Sequence, residues 1–345
     1  MTESILLGFR RSDIALIFDK LRKIYVDNRR IIQYTLEGYP ILNPYPVLKI
    51  KNKEVKGVVI QREYFRYLNE IPHNKKILSV DASIKVLFNL GTMRIVEAKV
   101  AAGVWQGLNK AKIRGPVKRL TIIEKKEEAA EWLMRIEFEE IMKLSYLISP
   151  GDIVILDRSL SIPPLLKKST RNLVETLDKI VSSKGGILVG LTKSSKLSLN
   201  TGESVVGYLI NLGEKIYRGL PWFYHPLFRE DSLPKWFLGD IVVAKLSELG
   251  ENAFRIDISR KSLKRYSIEE ILGKLSFVQD IAIPGYPYPL KAVHELAKIS
   301  DNELEVDKML FLDILKDKSF ENDFLSDLKS ANFRERYLWG DNISG

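Results

Sequence analysis

The sequence predicts an α/β protein in which a mixed sheet is flanked by helices, with a helical arm before the sheet and helical elaborations after it. Three observations carry this. Short runs rich in β-branched residues, separated by tight Gly- or Ser-containing turns, crowd into residues 77–104. From residue 126 onward, stretches with apolar residues at spacings of three and four alternate with short apolar runs such as DIVILD (152–157), as helices alternate with buried strands. Apolar residues make up 45% of the 345-residue chain, ample for a packed core in one large domain or two smaller ones.

Taken in order, residues 12–35 place Ile14, Ile17, Leu21, Ile24 and Tyr25 on one face, which predicts an amphipathic helix capped by Ser12 or Asp13. Gly38-Tyr39-Pro40 and Asn43-Pro44-Tyr45-Pro46 then impose extended or turn geometry, because a residue before proline is pushed out of the helical region. Residues 1–74 are read as an N-terminal arm that packs on the main domain or on a partner. The runs 77–81, 85–90 and 94–104 predict three sequential antiparallel strands, and a helix is expected over 126–147, ended by Ser149-Pro150-Gly151. Residues 152–157 form a central buried strand, followed by a helix near 170–183, a strand at 187–191 and a helix near 203–212. Strand, strand, strand, helix, strand, helix, strand is the order of a ribonuclease H-like fold. Strands at 240–247 and 253–259 and helices near 267–276 and 289–299 complete a domain set at 75–300. Residues 301–345 form a C-terminal helical segment, with helix over 303–330, and a loose tail.

Composition narrows the chemistry. The absence of cysteine excludes a disulfide scaffold, a zinc finger, an iron–sulfur cluster and a thiol nucleophile. The three histidines, His73, His225 and His294, are too few for a His-rich metal cage, so a catalytic metal would take mostly oxygen ligands, which favours Mg²⁺ or Mn²⁺. The balance of 54 Lys+Arg against 44 Asp+Glu, a net +10, fits a surface that meets phosphates, although solubility alone accounts for a modest excess. No apolar run reaches the roughly 18 residues of a membrane span, and MTESILLGFRRSD lacks a signal-peptide core, so the expected setting is soluble and cytoplasmic. None of the phosphate-loop, dinucleotide, zinc-protease or nucleophile-elbow motifs occurs, which argues against a self-contained ATPase, dinucleotide enzyme, metalloprotease or α/β-hydrolase.

Two aspartates stand out. Asp81 closes an apolar strand in ILSVDAS and Asp157 closes another in IVILDRS, where a carboxylate is costly to desolvate unless it is paired or metal-bound. Each would alternatively cap the following turn. On the helix over 126–147, Ala129, Leu133, Ile136, Leu144 and Leu147 share a face. Glu140 projects from its middle and Glu137 lies at its margin, so Glu140 is the expected third acid. The alternative is a Glu140 ion-paired with Arg135 or Lys143. Three acids at one sheet edge can hold two divalent ions about 4 Å apart for phosphodiester hydrolysis. Lys193, after the strand ILVGL, is placed to meet a phosphate oxygen or to be a solvated loop lysine. His294 lies on the inward side of a short helix that Pro289 starts, as a fourth ligand, a proton donor or a core residue. Tyr286 and Tyr288, held by prolines, are candidates to stack on a base or position a phosphate. His225 and His73 are read as structural.

At these residues the sequence resembles the NurA family, archaeal nucleases that work in DNA-end resection beside the hexameric HerA helicase. The matching pieces are VDAS (80–83), the Glu-bearing helix before LDRSLS (156–161), GLTKSS (190–195), LPWFYHP (220–226) and GYPYPLKAVHELAK (285–298), in the family's order. The resemblance implies a ribonuclease H-like core, a homodimer with a central channel, and Mn²⁺-dependent single-strand endonuclease and 5′→3′ exonuclease activity in double-strand-break repair. It implies Asp81, Glu140 and Asp157 as metal ligands, Tyr286 and His294 completing the site, and Lys193 near the phosphate. Where the family usually has glycine after each motif aspartate, this chain has Ala82 and Arg158, and Arg158 implies a different backbone path or an added phosphate contact.

The expected function is therefore a Mn²⁺- or Mg²⁺-dependent deoxyribonuclease acting on single-stranded DNA and duplex ends, with a HerA-type helicase and a second copy of itself as partners and no membrane. Two rivals stand beside it: a junction resolvase or RNA-strand nuclease of the same fold, and a non-catalytic DNA-binding clamp or helicase adaptor.

Overall fold

Asp81 and Asp157 owe their positions to a mixed sheet, whose order follows from the strands in turn. The computed structural model describes residues 11–23, 33–34, 40–41, 43–50, 53–229, 231–316 and 321–334. Helix α1 (Arg11–Arg22) precedes two short strands, β1 (Gln33–Tyr34) and β2 (Pro40–Ile41), which pair antiparallel. The helix expected to reach residue 35 has thus given way to strand by Gln33, where β1 pairs antiparallel with β2. Ile24 and Tyr25 lie outside the described residues. The hairpin β3 (Pro46–Ile50) and β4 (Lys53–Lys56) and the strand β5 (Phe65–Tyr67) follow.

The body begins with a meander of β6 (Lys76–Asn89), β7 (Arg94–Gln106) and β8 (Asn109–Ile123). Its strands differ from the expected three. Residues 77–81 and 85–90 are one strand, since β7 continues to pair through Ala82↔Val100 and Ser83↔Lys99. β8 escaped the sequence reading because its run of lysine and arginine hides any alternation; it is the edge strand, open to solvent on one side. Next come α2 (Lys126–Met142), β9 (Ile153–Leu156), α3 (Lys168–Ser183), β10 (Ile187–Thr192), β11 (Ser198–Leu199), α4 (Val205–Tyr217) and β12 (Trp222–Tyr224). The chain continues through β13 (Gly239–Lys245), β14 (Phe254–Ser259), α5 (Arg260–Leu263), α6 (Ile268–Phe277), α7 (Tyr288–Ala297), α8 (Asp301–Leu315) and α9 (Glu321–Arg334). Ser204, Ser267 and Ser300 accept backbone N–H bonds at the starts of α4, α6 and α8, as helix caps do.

The main sheet runs β5-β12-β13-β14-β10-β9-β6-β7-β8. Its centre, β6, β9 and β10, is parallel, and every other neighbouring pair is antiparallel. Side chains alternate across it with period two. Leu78, Val80, Val154, Leu156 and Leu188 face the layer of α2 and α3, packing on Ile136, Phe138, Val174 and Leu177. Ile77, Ile153, Ile155, Val189 and Leu191 face the layer of α6 and α7, packing on Ile271, Leu275 and Leu290. The C-terminal helices are fastened at the far end of β6, where Phe88 meets Phe311 and Phe324 with ring centroids 5.3 and 5.5 Å away. Among the described residues no helix is long and apolar enough to cross a membrane.

Candidate active site

The last register pair between β6 and β9 is Val80↔Leu156, and the last between β9 and β10 is Gly190↔Leu156. Asp81 and Asp157 are the next residues on each chain segment, so they emerge side by side where the parallel pairing stops. Asp81 does not close its own strand, as the sequence suggested; β6 runs on beside β7, and it is β9 that ends. Parity completes the placement. Asp81 follows Ile77 by four, Asp157 follows Ile153 by four and Lys193 follows Leu191 by two, so all three belong to the face covered by α7.

From that layer α7 supplies His294, whose Nδ1 stands 2.7 Å from Asp81 Oδ2. The loop before α7 supplies Tyr286, whose hydroxyl donates to Asp157 Oδ2 at 3.3 Å, and Lys193 Nζ reaches the same oxygen at 2.6 Å. The Lys193 ammonium also lies 5.0 Å from the centre of the Tyr286 ring, whose other neighbour is Phe254. Tyr286 is therefore buried, and its ring is committed to packing rather than free to stack on a base. Burial holds the Asp81 carboxyl above its ordinary range; the His294 hydrogen bond opposes this and the charge of Asp157 adds to it. Burial likewise pushes the Tyr286 hydroxyl up, so it remains a donor.

Glu140, the expected helix acid, is engaged by two cations of this chain. α2 stops at Met142, and Leu144 precedes and Leu147 ends a tighter 3₁₀ segment, Ser145–Leu147, so they do not extend the face used to choose Glu140. Glu140 is buried, but it accepts from Arg114 Nε at 3.1 Å and pairs with Lys143, the ion-pair alternative noted above. Burial works to raise its carboxyl, yet hydrogen bonds from Lys143 and Arg114 hold it below the ordinary range. Glu137 instead lies within electrostatic reach of the two aspartates. Its carboxyl is pushed up to about 7 by burial, against the opposing charge of Arg158, with the charges of both Asp81 and Asp157 adding to the rise. The three acids that share one electrostatic environment are thus Asp81, Asp157 and Glu137.

Arg158 is also not where a phosphate contact would put it: its guanidinium is paired with Glu137. Tyr288 packs edge-on against Trp105, with ring centroids 6.5 Å apart, and Trp105 faces Ile77, four residues back from Asp81. The turn after β9 depends on Gly190, where a Cβ would collide with the Arg158 backbone carbonyl. Gly190→Ala is expected to lower stability by about 1–3 kcal/mol, the usual penalty for overpacking, and to shift Asp157; a urea titration measures the first and loss of activity the second.

Among the described residues, no three His, Asp or Glu side chains stand around one common point as ion ligands do. Each acid is instead engaged by a group of this chain: Asp81 by His294, Asp157 by Lys193 and Tyr286, Glu137 by Arg158. The donor set nevertheless fits a divalent cation. It is three carboxylates and an imidazole, half-buried or buried, and burial together with the neighbouring acid charges raises the Asp81 and Glu137 carboxyls, which an added cation relieves.

The mixed sheet with its helical layers and an acid cluster at the end of the central parallel strands defines a ribonuclease H-like α/β protein. A family model for the NurA domain matches residues 75–299, and the chain belongs to that family. Solved structures with the same fold include the NurA nuclease from Sulfolobus solfataricus, 16% identical, covering 75% of this chain and 89% of that one with a TM-score of 0.53. A second NurA structure is 11% identical over 77% of this chain and 93% of that one, with a TM-score of 0.52. Among curated proteins none matches the sequence.

Proposed function

We propose that this chain is a metal-dependent DNA nuclease. The observation that carries the reading is the end of β9 opposite Val80, which sets Asp81 beside Asp157 with Glu137 brought in from α2. Membership of the NurA family and the likeness to a NurA nuclease of known structure support it. Asp81, Asp157 and Glu137 would hold Mn²⁺ or Mg²⁺, with His294 as a further candidate ligand. When bound, such ions activate water and neutralise charge developing on the phosphate.

The chain's own residues supply the rest. Ionised Asp81 accepts the Nδ1 proton of His294, leaving Nε2 free to take a proton from the attacking water or return one to the departing oxygen. Lys193, with its side chain 43% exposed, can turn from Asp157 to a phosphate oxygen, while the Tyr286 hydroxyl keeps the Asp157 carboxylate oriented. The net charge of +10 favours a polyanion, so affinity should fall steeply with salt. The finer reading includes single-strand endonuclease and 5′→3′ exonuclease activity in DNA-end resection, as a homodimer with a HerA-type helicase.

The test is a Mn²⁺ titration with 5′-labelled single-stranded DNA, run beside a four-way junction and an RNA–DNA hybrid. Shortened products that grow with metal support the proposal. No product at any Mn²⁺ or Mg²⁺ concentration overturns it in favour of a non-catalytic clamp, and cleavage confined to the junction or hybrid reassigns the substrate.

A further inference from the structure

The acid end of the sheet carries exposed apolar side chains that neither the core nor the catalytic scheme uses. Ile281 is 96% exposed and Leu249 is 78% exposed, with Ile283 close by at 41%. Ile281 sits on the loop that delivers Tyr286, and that loop is held by its own hydrogen bonds. Asp280 Oδ1 accepts from the backbone N–H groups of Ala282 and Ile283 at 2.9 and 2.8 Å, and Gln279 Oε1 accepts from Gly285 at 2.9 Å. The Asp280 N–H donates to the Tyr286 carbonyl at 2.7 Å. Ile281 is thus one residue, about 3.8 Å along the chain, from a residue bonded to Tyr286 itself.

Leu249 belongs to the turn between β13 and β14. β14 begins opposite the end of β10, with Arg255 facing Thr192, so this turn stands at the same end of the sheet as Asp157 and Lys193. The two loops touch: a Cβ on Gly250 would collide with the Pro284 carbonyl. Ile281 and Leu249 are therefore apolar tips on adjoining, internally bonded loops beside the acid cluster. Two partly exposed cations stand at the same end of the sheet: Lys193, paired with Asp157, and Lys291, 3.8 Å from Asp280 of the Ile281 loop.

Resting on the nuclease reading above, we propose that Ile281, supported by Leu249, is a wedge that enters a duplex end and separates its last base pair, so that one strand can reach Asp81 and Asp157. Apolar side chains inserted between base steps unstack them in this way. A protruding tip on a stiff loop suits insertion, whereas docking to a folded protein calls for a contiguous apolar face.

The full chain and the variants Ile281→Ser and Ile281→Ser/Leu249→Ser are compared with Mn²⁺ on a 5′-labelled single strand and on a blunt duplex. A separate metal-free binding assay places 2-aminopurine in the terminal base pair. The wedge predicts single-strand cleavage within about twofold of the parent, blunt-end cleavage down about tenfold or more, and loss of the fluorescence rise on binding. Equal losses on both substrates, or unchanged blunt-end cleavage and fluorescence, overturn it; the unchanged result would assign the tips to a protein partner. If the parent cuts neither substrate the nuclease reading fails, and the fluorescence arm alone then decides the wedge, its absence in the parent overturning it.

Discussion

Asp157→Asn is expected to lower the proposed Mn²⁺-dependent cleavage by about 10³-fold or more, equivalent to about 4 kcal/mol of barrier, and Asp81→Asn should do the same. The reason is local. Each substitution keeps shape and removes one negative oxygen from a three-acid cluster, and a neutral amide is a poor ligand for a hard cation. The fold should survive, because both side chains lie where β9 has ended and are 14% and 15% exposed. Removing a negative charge from a site that meets phosphate should also leave DNA binding intact or tighter. Circular dichroism and a filter-binding titration check these two points beside the cleavage assay. Full activity in either variant would overturn the assignment of these residues as ligands.

The second large effect separates the two helix acids. Glu137→Gln is expected to cost activity on the scale of the aspartate variants. Glu140→Gln should leave activity within about threefold and lower stability by about 1 kcal/mol, since Arg114 and Lys143 are each 44% exposed and water can take over their charge. The reverse outcome would restore Glu140 as the ligand. The raised Glu137 carboxyl adds a pH signature. Its folded value of about 7 lies above the ordinary 4.5, so the folded state binds the proton more tightly than the unfolded state does. The contribution of Glu137 to the stability of the metal-free protein therefore falls as pH rises between those values and is level above 7. Because an ion requires the carboxylate, the rise in melting temperature on adding Mn²⁺ should be larger at pH 8 than at pH 6. An equal rise at both would show that Glu137 does not hold the ion.

How much of this was legible in the sequence differs by residue. The apolar runs singled out Asp81, Asp157 and Lys193, but that Asp81 lies within β6 and that all three share a face came from the pairing of β6, β9 and β10. His294 and Tyr286 were legible from the proline-held start of α7, and the structure brings both to the aspartates. Three features were not. The helix after residue 12 gives way to strand by Gln33, where β1 pairs with β2. β8 is a strand because β7 pairs with it along its length, which its run of cations does not announce. Arg158, unusual beside its aspartate, pairs with Glu137, a partner that its place in the sequence does not announce.

The choice between Glu137 and Glu140 shows where the boundary lies. The two are three residues apart on α2 and both are buried, so periodicity cannot rank them. Arg114 arrives from β8 to take one, and Arg158 arrives from beyond β9 to hold the other beside the aspartates. The sequence by itself determined the mixed α/β order and singled out Asp81 and Asp157, because each depends on residue type and local period. The tertiary structure alone decided which helix acid joins them and which cations counter them. Those outcomes rest on charges that meet only when separate elements pack.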